Sequence, residues 1–524
     1  MNKKECQNGW ILETKLFSPY LTKKYLYHKF KNNTFKINQT SVGNKEKYID
    51  TASGKMTTVT TRTTFLSSML TIYYVVIAVA LLYPGLALSF GCFKKVDHHS
   101  SLVLSSPTSA TATSTRAATT TRMSSNSFLN PIVASVKPSK TVEIFSLVKE
   151  MEAAGETVTS LCVGEPDFLP SQVILDATIA AINAGDTRYT AVTGTADLRN
   201  AIADDLKRRK GLDYNPNNEI VVGNGAKQCV YQGVLATCGV GDKVLVPAPY
   251  WPSYPEMVYL VGATPVVVET NAEDGYLVSP DVLRSTLENN PETKLIILCN
   301  PSNPSGGVYR KEQLQALATV LKDFPKVFVL ADEIYERLVY EGECPAFAAI
   351  DDEMFARTMT VNGFSKAYAM TGMRLGYIAA PQKLARAITT IQSQLTSCAG
   401  SLSQAAGVAA LTKVTDEELD NNVQIMKEKR DYVLRELKSI SGVKVASTPN
   451  GAFYVLPDVS VYFDGDDTKL CLELLKSKRL AVVPGSSFGA PGTIRLSYAT
   501  SKEELGIAMK KLKDFLDENS DTMK

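Results

Sequence analysis

From Gly363 to Gly376 the chain reads GFSKAYAMTGMRLG, with Lys366 and Arg374 eight residues apart. Residues 357–361 form an extended stretch before the glycine, so Lys366 is expected just past the end of a strand. A lysine held there can form a Schiff base with an aldehyde cofactor, and the arginine can make paired hydrogen bonds to a phosphate on it. A solvated surface lysine beside an unrelated arginine is the alternative, and it would suit an isolated Ser-Lys pair. The complete spacing, with the partners described below, favours the cofactor site.

Histidine is missing from most of the chain. The three histidines are His28, His98 and His99, so none occurs in the presumed globular part. Histidine is a frequent general base and metal ligand, so Ser-His-Asp, Cys-His and histidine-ligated metal sites are excluded there. Proton transfer is left to lysine, tyrosine or a carboxylate, and no metal site is predicted.

The length of 524 residues suggests two folded domains plus additional segments. The net charge of +2 conceals an asymmetry, because residues 1–125 carry sixteen Lys and Arg against five Asp and Glu. Subtraction from the totals of 56 and 54 leaves 40 basic and 49 acidic residues in 126–524, a net charge of −9. An acidic body argues against nucleic acid as the partner.

Nine scattered cysteines without a Cys-x-x-Cys pair predict free thiols in a reducing compartment.

The first 125 residues have the composition of a targeting leader. No charged residue occurs from Thr63 to Phe93, and the dense apolar run covers only 72–82, just before Pro84. Eleven residues are too few to cross a bilayer comfortably, which favours a secretory signal core, with a retained membrane anchor as the alternative. Small residues at 87–89 would permit cleavage before Phe90.

The segment 90–125 resembles a transit peptide, because it is rich in Ser, Thr and Ala and its single acid is Asp97. A signal-like part (56–89) followed by such a segment resembles the bipartite leaders that direct proteins into secondary plastids. This resemblance implies a plastid (chloroplast) location and a mature form without membrane attachment. Translation could begin at Met56, because the long polar stretch before it does not suit the start of a signal peptide.

From residue 126 onward, short β-branched runs alternate with longer amphipathic segments. The alternation predicts an α/β fold with a mainly parallel sheet between helices. Ligands bind at the carboxyl ends of strands in such sheets, which is where Gly225, Asn300, Asp332 and Lys366 fall. The predicted strands are 219–222, 243–246, 294–299, 326–330 and 358–361, with helices such as 228–237 and 311–322 between them.

After residue 415 the pattern changes to a long charged helix, short apolar runs and a final amphipathic helix, which predicts a smaller α+β domain. The runs are 443–446, 452–456, 480–483 and 493–496. The expected organisation is a leader (1–125), an N-terminal arm that contributes to the small domain (126–166), a large domain (167–415) and a C-terminal small domain (416–524).

Further motifs stand where predicted strands end. They read VLADEIY (329–335), NPSNP (300–304), PYW (249–251) and GNGAK (223–227), and IRLSY (494–498) carries Arg495. An isolated carboxylate such as Asp332 at the end of an apolar strand is costly unless it is paired. The glycine motif lacks the third glycine of a dinucleotide-binding loop, but a helix that begins at Gly225 could bind a phosphate with its free N–H groups.

Taken in their order along the chain, the motifs resemble those of the class I, fold-type I aminotransferases, which depend on pyridoxal 5'-phosphate, and especially the plant-type bifunctional aspartate/prephenate aminotransferases. The resemblance covers about 129–516. It implies a large domain with a mainly parallel sheet sandwiched by helices, a smaller α+β domain, and a homodimer with shared active sites. It also implies amino-group transfer between aspartate or glutamate and 2-oxo acids (oxaloacetate, 2-oxoglutarate), extending to prephenate.

The resemblance assigns roles to individual residues. Lys366 would hold the cofactor as a Schiff base and then move the α-proton of the substrate, while Asp332 would pair with the pyridine nitrogen. Tyr335 and Asn303 would donate to the phenolic oxygen of the cofactor. The other implied cofactor contacts are Gly225, Ala226, Lys227, Trp251, Arg374 and, reaching into the neighbouring subunit, Tyr189.

For the substrate, the resemblance implies that Arg495 binds the α-carboxylate with help from the backbone of Gly164. Lys227 would bind the distal carboxylate, and Lys227 with Thr141 would admit prephenate. The remaining implied substrate contacts are Trp251 and Asn303. A helix cap is the alternative interpretation of the stretch 137–141.

Two positions depart from the family pattern. Met373 replaces a frequent tryptophan, and Gly363 stands where some relatives place a phosphate-binding serine, which leaves Ser365 as a weak phosphate ligand.

A class I aminotransferase for aromatic or neutral amino acids is an alternative function, against which Lys227 argues. A non-catalytic regulator with a fused DNA-binding domain would need a basic helix-turn-helix upstream, whereas 1–125 shows an apolar run and a Ser/Thr tract.

Overall fold

The computed structural model describes residues 46–49, 56–59, 130–136 and 140–523, which belong to two compact units, 1–117 and 118–524. In the first unit, strand β1 (Glu46–Ile49) pairs antiparallel with β2 (Met56–Val59). The apolar run 72–82 and the expected cleavage region lie outside the described residues. Within the described ranges, no helix is both long and apolar enough to cross a bilayer.

The second unit alternates strands and helices along most of its length. Its strands are β3 (Thr159–Ser160), β4 (Ile220–Gly223), β5 (Lys243–Pro247), β6 (Thr264–Val268), β7 (Thr293–Cys299), β8 (Phe328–Asp332), β9 (Thr358–Gly363), β10 (Gly376–Ala379), β11 (Tyr454–Val455), β12 (Leu480–Ala481), β13 (Val483–Pro484) and β14 (Ile494–Ser497). Its α-helices are α1 (Pro131–Ser135), α2 (Lys140–Ala153), α3 (Gln172–Ala184), α4 (Ala196–Lys210), α5 (Ala226–Thr237), α6 (Ser253–Leu260), α7 (Pro280–Glu288), α8 (Lys311–Lys322), α9 (Asp352–Phe355), α10 (Gln382–Leu395), α11 (Ser401–Lys413), α12 (Asp416–Lys438), α13 (Asp467–Lys478) and α14 (Lys502–Glu518).

A seven-stranded sheet, in the order β4-β10-β9-β8-β7-β5-β6, forms the centre of this unit. Strand β10 is antiparallel to both of its neighbours, whereas the pairs among β5, β6, β7, β8 and β9 are parallel. The expected α/β fold with a mainly parallel sheet is confirmed. The predicted strands 219–222, 294–299 and 358–361 coincide with β4, β7 and β9 to within one or two residues.

Helices cover both faces of this sheet, so its strands are buried on both sides. On one face, α5, α6 and α10 pack on alternate strand residues such as Val221, Val244 and Leu330. On the other face, the intervening residues meet α4 and α11, or α7 and α8; Val222 and Leu245 are examples. A three-layer core therefore holds the ends of the strands in fixed positions.

The C-terminal part contains the expected long helix, which is α12. The side chain of Thr415 accepts from the N–H of Glu418, acidic residues occupy the first turn and basic residues the last, an arrangement that favours the helix electrostatically. Strands β11, β14 and β13 form a small antiparallel sheet, and β12 pairs in parallel with β3. The apolar run 443–446 does not form a strand: Lys444 makes one isolated bridge, with Asp458, before the chain turns towards Pro449, which has no N–H to donate.

Candidate active site

Five of the predicted site residues lie at the same edge of the seven-stranded sheet, where its parallel strands end. Lys366 follows β9, Asp332 ends β8, Asn303 follows β7, Trp251 follows β5 and Gly225 follows β4. These parallel strands end on the same side of the sheet, and β10 begins there because it runs the opposite way. Arg374, two residues before β10, is therefore brought to the same edge.

Lys366 lies at the centre of this group. Its amine donates a hydrogen bond to the carbonyl oxygen of Gly164 at 2.5 Å, and it lies 5.8 Å from the ring centre of Tyr335 and 5.9 Å from that of Phe453. Gly164 is needed at this point, because a Cβ there would overlap the hydroxyl of Tyr454. The amine thus lies beside two aromatic rings and a backbone carbonyl.

Burial lowers the pKa of Lys366 from 10.5 to about 8. The positive charges of Arg495 and Arg374 act in the same direction, whereas the carboxylates of Glu165 and Asp332 oppose it. A substantial fraction of the amine is therefore neutral near physiological pH, which is the form that attacks an aldehyde.

Asp332 is buried at the end of β8, with two donors on its carboxylate. The hydroxyl of Tyr254 donates to Oδ2 at 2.7 Å, and the backbone N–H of Ile334 donates to Oδ1 at 3.3 Å. Burial raises the pKa of this carboxyl, while the two hydrogen bonds and the nearby charge of Lys366 act to lower it. The carboxylate is held in a fixed orientation and would be stabilised by a cationic partner.

The neighbouring aromatic pair is Tyr335 and Tyr454. Their hydroxyl oxygens are 2.9 Å apart and their rings meet edge to face, with centroids 5.8 Å apart. Burial raises the pKa of Tyr335 well above its usual value, so this hydroxyl is protonated and can donate a hydrogen bond.

A cradle for an anion forms where α5 begins. Gly225 has φ +89° and ψ 154°, a conformation that favours glycine, and a Cβ there would lie 2.6 Å from a guanidinium nitrogen of Arg374. A Cβ at Gly376 would overlap the backbone of Gly225 and Ala226. The start of the helix and an exposed arginine therefore lie side by side, and both attract a phosphate.

Lys227, in the first turn of α5, extends over Trp251. The ammonium nitrogen lies 5.1 Å from the indole centre, and the side chain is exposed. Partial burial and the charge of Arg374 lower the pKa of Lys227. Trp251 also meets Tyr254 edge to face, at 5.4 Å between ring centroids, so the indole is supported on one side by the first turn of α6, which follows it in the chain.

Arg495 points inward from β14 and is 3% exposed. It donates to the carbonyl oxygen of Cys162 at 2.6 Å and to Oδ1 of Asn303 at 3.1 Å, and its guanidinium covers the rings of Tyr454 and Phe488. Its Nε is buried without a hydrogen-bond partner among the described residues. A buried guanidinium in an aromatic frame is suited to hold a carboxylate in one orientation.

Two predicted residues are not joined to this group. Tyr189 is 89% exposed in the loop between α3 and α4, and no hydrogen bond or ring contact links it to another described residue. Thr141 lies in α2, and its side chain is outside the described part of the chain, as are residues 137–139.

Sequence reasoning missed Tyr254 and Tyr454. Tyr254 follows Trp251 by three residues, and its N–H donates to the carbonyl oxygen of Trp251 in the turn that begins α6, a spacing that could have indicated that both face the same site. Tyr454 faces inward from a two-residue strand, and its partner Tyr335 is distant in sequence. No signal near Tyr454 in the sequence could have identified that contact.

The chain was compared with known proteins. The model of the family "Aminotransferase class I and II" matches residues 156–512. A bifunctional aspartate aminotransferase and glutamate/aspartate-prephenate aminotransferase of Petunia hybrida is 45% identical over 399 residues, covering 74% of this chain and 82% of that protein. An aspartate/prephenate aminotransferase of Cereibacter sphaeroides is 41% identical over 398 residues, covering 74% of this chain and 98% of that protein.

Solved structures agree with these relatives. An aspartate aminotransferase from Rhizobium meliloti superposes with a TM-score of 0.70 at 36% identity, covering 76% of this chain and 99% of that one. An aspartate aminotransferase from Thermus thermophilus with maleate gives a TM-score of 0.69 at 37% identity, covering 74% and 99%.

Proposed function

Because this chain belongs to the class I and II aminotransferases, we propose that it transfers the amino group between aspartate or glutamate and 2-oxo acids, namely oxaloacetate and 2-oxoglutarate, and that it also aminates prephenate. The relatives described above bear names with these activities. The observation that carries the proposal is the Lys366 amine: burial lowers its pKa to about 8, and it feels the charges of a buried carboxylate, Asp332, and a buried guanidinium, Arg495.

The proposed cofactor is pyridoxal 5'-phosphate, and the donor set fits it. The glycine cradle at Gly225 and Ala226, with Arg374 beside it, suits the phosphate; Asp332 suits a protonated ring nitrogen. Trp251 would stack on the ring. When bound, this cofactor withdraws electrons from the α-carbon of an attached amino acid.

Lys366 would bind the cofactor covalently through its neutral amine. With a substrate bound, the free amine of Lys366 would accept the proton from the substrate α-carbon and would then be the donor when that proton is returned. Its pKa of about 8 suits both taking up and releasing the proton, because a group whose pKa lies near the working pH can do either. The hydroxyl of Tyr335 and the amide of Asn303 would donate to the phenolic oxygen of the cofactor.

Two cations would bind the substrate. Arg495 would hold the α-carboxylate, with the backbone of Gly164 at its side, so every amino acid would use this contact. Lys227, placed over Trp251, would meet the distal carboxylate of aspartate, glutamate or prephenate. A lysine is a flexible point charge, which allows carboxylates at different distances. Thr141 is proposed as a further determinant for prephenate.

The proposed assembly is a homodimer that shares its active sites. Tyr189 is 89% exposed, which suits a residue that would reach the phosphate in a second copy of the chain. On the preceding helix, α3, Ile179 and Ile182 are 55% and 53% exposed, and such apolar exposure favours an interface.

A plastid location is proposed from the leader alone. Its support is the uncharged stretch from Thr63 to Phe93 and the Ser/Thr/Ala-rich segment that follows. The mature protein would then begin near residue 126, with the small domain completed by 126–166.

Steady-state kinetics of the purified protein with aspartate, glutamate and alanine as donors test the function, with 2-oxoglutarate, oxaloacetate and prephenate as acceptors. The proposal expects kcat/KM for the two acidic donors to exceed that for alanine, and arogenate to form from prephenate. A higher kcat/KM for alanine or for an aromatic amino acid would contradict it and favour the alternative of a neutral or aromatic aminotransferase.

A further inference from the structure

Lys429, in the middle of α12, has a buried ammonium group that the proposed chemistry does not use. The residue is 4% exposed, and its Nζ lies 2.5 Å from Oδ2 of Asp167. A buried lysine is costly unless an opposite charge pairs with it, so this ion pair holds the two segments together. Asp167 belongs to the loop 162–168 between β3 and α3, far away in sequence.

The same loop makes two contacts in the candidate active site. At its start, the carbonyl oxygen of Cys162 accepts from Arg495 at 2.6 Å. In its middle, the carbonyl oxygen of Gly164 accepts from Lys366 at 2.5 Å. The loop is therefore tied to Arg495 at one end and to Lys429 at the other.

The middle of the loop has little freedom towards the small domain, because even a Cβ at Gly164 would overlap the hydroxyl of Tyr454. The ion pair between Asp167 and Lys429 opposes movement of the loop in the other direction, away from Tyr454. Among the described residues, a second polar contact from this region to α12 is the exposed hydrogen bond from Ser171 to Glu418, at 3.2 Å, and exposed pairs contribute little.

We propose that Lys429 is a positioning residue: through Asp167 it fixes the loop 162–168, so that the backbone of Gly164 stands beside Arg495 where the substrate α-carboxylate binds. This inference rests on the proposed function. All amino acids carry the α-carboxylate, so loss of the pair weakens acidic and neutral substrates by the same factor. In the described part of the chain, Asp332 and Arg374, the proposed partners of the cofactor ring and of its phosphate, make no hydrogen bond with this loop, which meets the cofactor site only at the Lys366 amine.

The test compares Lys429→Met, Asp167→Ala and the double variant with the wild-type holoenzyme. Calorimetric titration measures the Kd of succinate, a dicarboxylate without an amino group, and kinetics give KM and kcat for aspartate and alanine. Each variant is expected to raise the succinate Kd and both KM values about tenfold, with kcat changed less than twofold. The double variant should be no worse than either single variant, because both changes remove one interaction.

Matched controls separate positioning from stability. Ser171→Ala removes the exposed contact between the same region and α12 and should leave every constant unchanged, whereas Lys429→Arg keeps the charge and should restore most of the affinity. If a single variant fails to fold, the double variant decides, because it leaves no buried charge unpaired.

A lower urea midpoint with Kd and KM unchanged in the double variant would overturn the inference, as would additive effects of the two changes. A rise in KM for aspartate alone would also overturn it. The proposed function fails separately, if the wild-type holoenzyme transfers no amino group from any donor.

Discussion

Tyr254 donates a hydrogen bond to Asp332 across two elements, from the first turn of α6 to the last residue of β8. The hydrogen bond is short, at 2.7 Å, and both residues are buried. It is expected to be strong, because hydrogen bonds to charged groups are stronger than those between neutral groups. The same ring supports Trp251 edge to face. One side chain thus orients both the proposed partner of the ring nitrogen and the proposed stacking surface.

We expect Tyr254→Phe to weaken cofactor binding, because it removes the hydroxyl and leaves the ring contact with Trp251. The pKa of Asp332, already raised by burial, should rise further when this donor is lost. Pyridoxal phosphate affinity of the apoenzyme, followed by fluorescence, should fall about tenfold and should fall more steeply as the pH is lowered. Tyr309→Phe is the control, since Tyr309 is also a buried tyrosine, but its hydroxyl accepts a hydrogen bond from the N–H of Val278 and does not contact Asp332. Equal affinities for wild type and Tyr254→Phe would contradict the role.

The amine of Lys366 should react at lower pH than an ordinary lysine. Its pKa of about 8 means that it is largely protonated below pH 7 and largely neutral above pH 9. Reductive methylation of the apoenzyme with formaldehyde, mapped by mass spectrometry, should reach half its maximal rate near pH 8 at this residue. Lysines of ordinary pKa, about 10.4, should lag behind and serve as internal controls. A profile at Lys366 that matches theirs would contradict the proposed environment.

Gly225→Ala should damage the phosphate cradle. The conformation at φ +89° strains any other residue by roughly 1–3 kcal/mol, and the new methyl group would displace Arg374. Gly155→Ala provides a matched control, because Gly155 has φ +88° but nothing within 4 Å of an added Cβ. Both variants should lose stability in urea, but only Gly225→Ala should lose cofactor affinity. Equal affinity in the two variants would contradict the cradle.

Processing of the leader can be checked on protein from its natural source. Terminal peptide mass spectrometry should find mature N-termini near residue 126 and none of the residues before it, because the signal-like and transit-like segments are removed. The expected start near Met56 applies only to the precursor. Abundant mature peptides from residues 1–55 would contradict both proposals.

Much of the site could be predicted because strand ends are marked locally. The apolar run before Asp332 indicates where β8 ends, and Gly363, three residues before Lys366, indicates where β9 ends. The fold then brings these two ends together. Contacts between distant segments leave no such mark. Asp167 and Lys429 are 262 residues apart, and neither residue type indicates that the other is its partner.

The smaller domain illustrates the same limit. The run 443–446 is mostly apolar, but a strand also needs a neighbour along its length, and among the described residues only Asp458 pairs with this run. Tyr189 shows the complementary case: its exposure in one chain agrees with the expected role in a second copy, which a single chain does not contain.

Lys227 should determine the preference for acidic substrates. Arg495 would bind the α-carboxylate that all amino acids share, so selection requires a second cation, and the ammonium of Lys227 over Trp251 is placed for it. Lys227→Met keeps an unbranched side chain that is one atom shorter, and it removes roughly 1.5–3 kcal/mol of charge-assisted hydrogen bonding. We expect kcat/KM for aspartate and glutamate to fall on the order of ten- to hundredfold, with little change for alanine. Equal losses for alanine and aspartate would instead make Lys227 a cofactor or stability residue, because its neighbour Arg374 belongs to the proposed phosphate cradle. Cofactor affinity measured on the same variant separates those two outcomes.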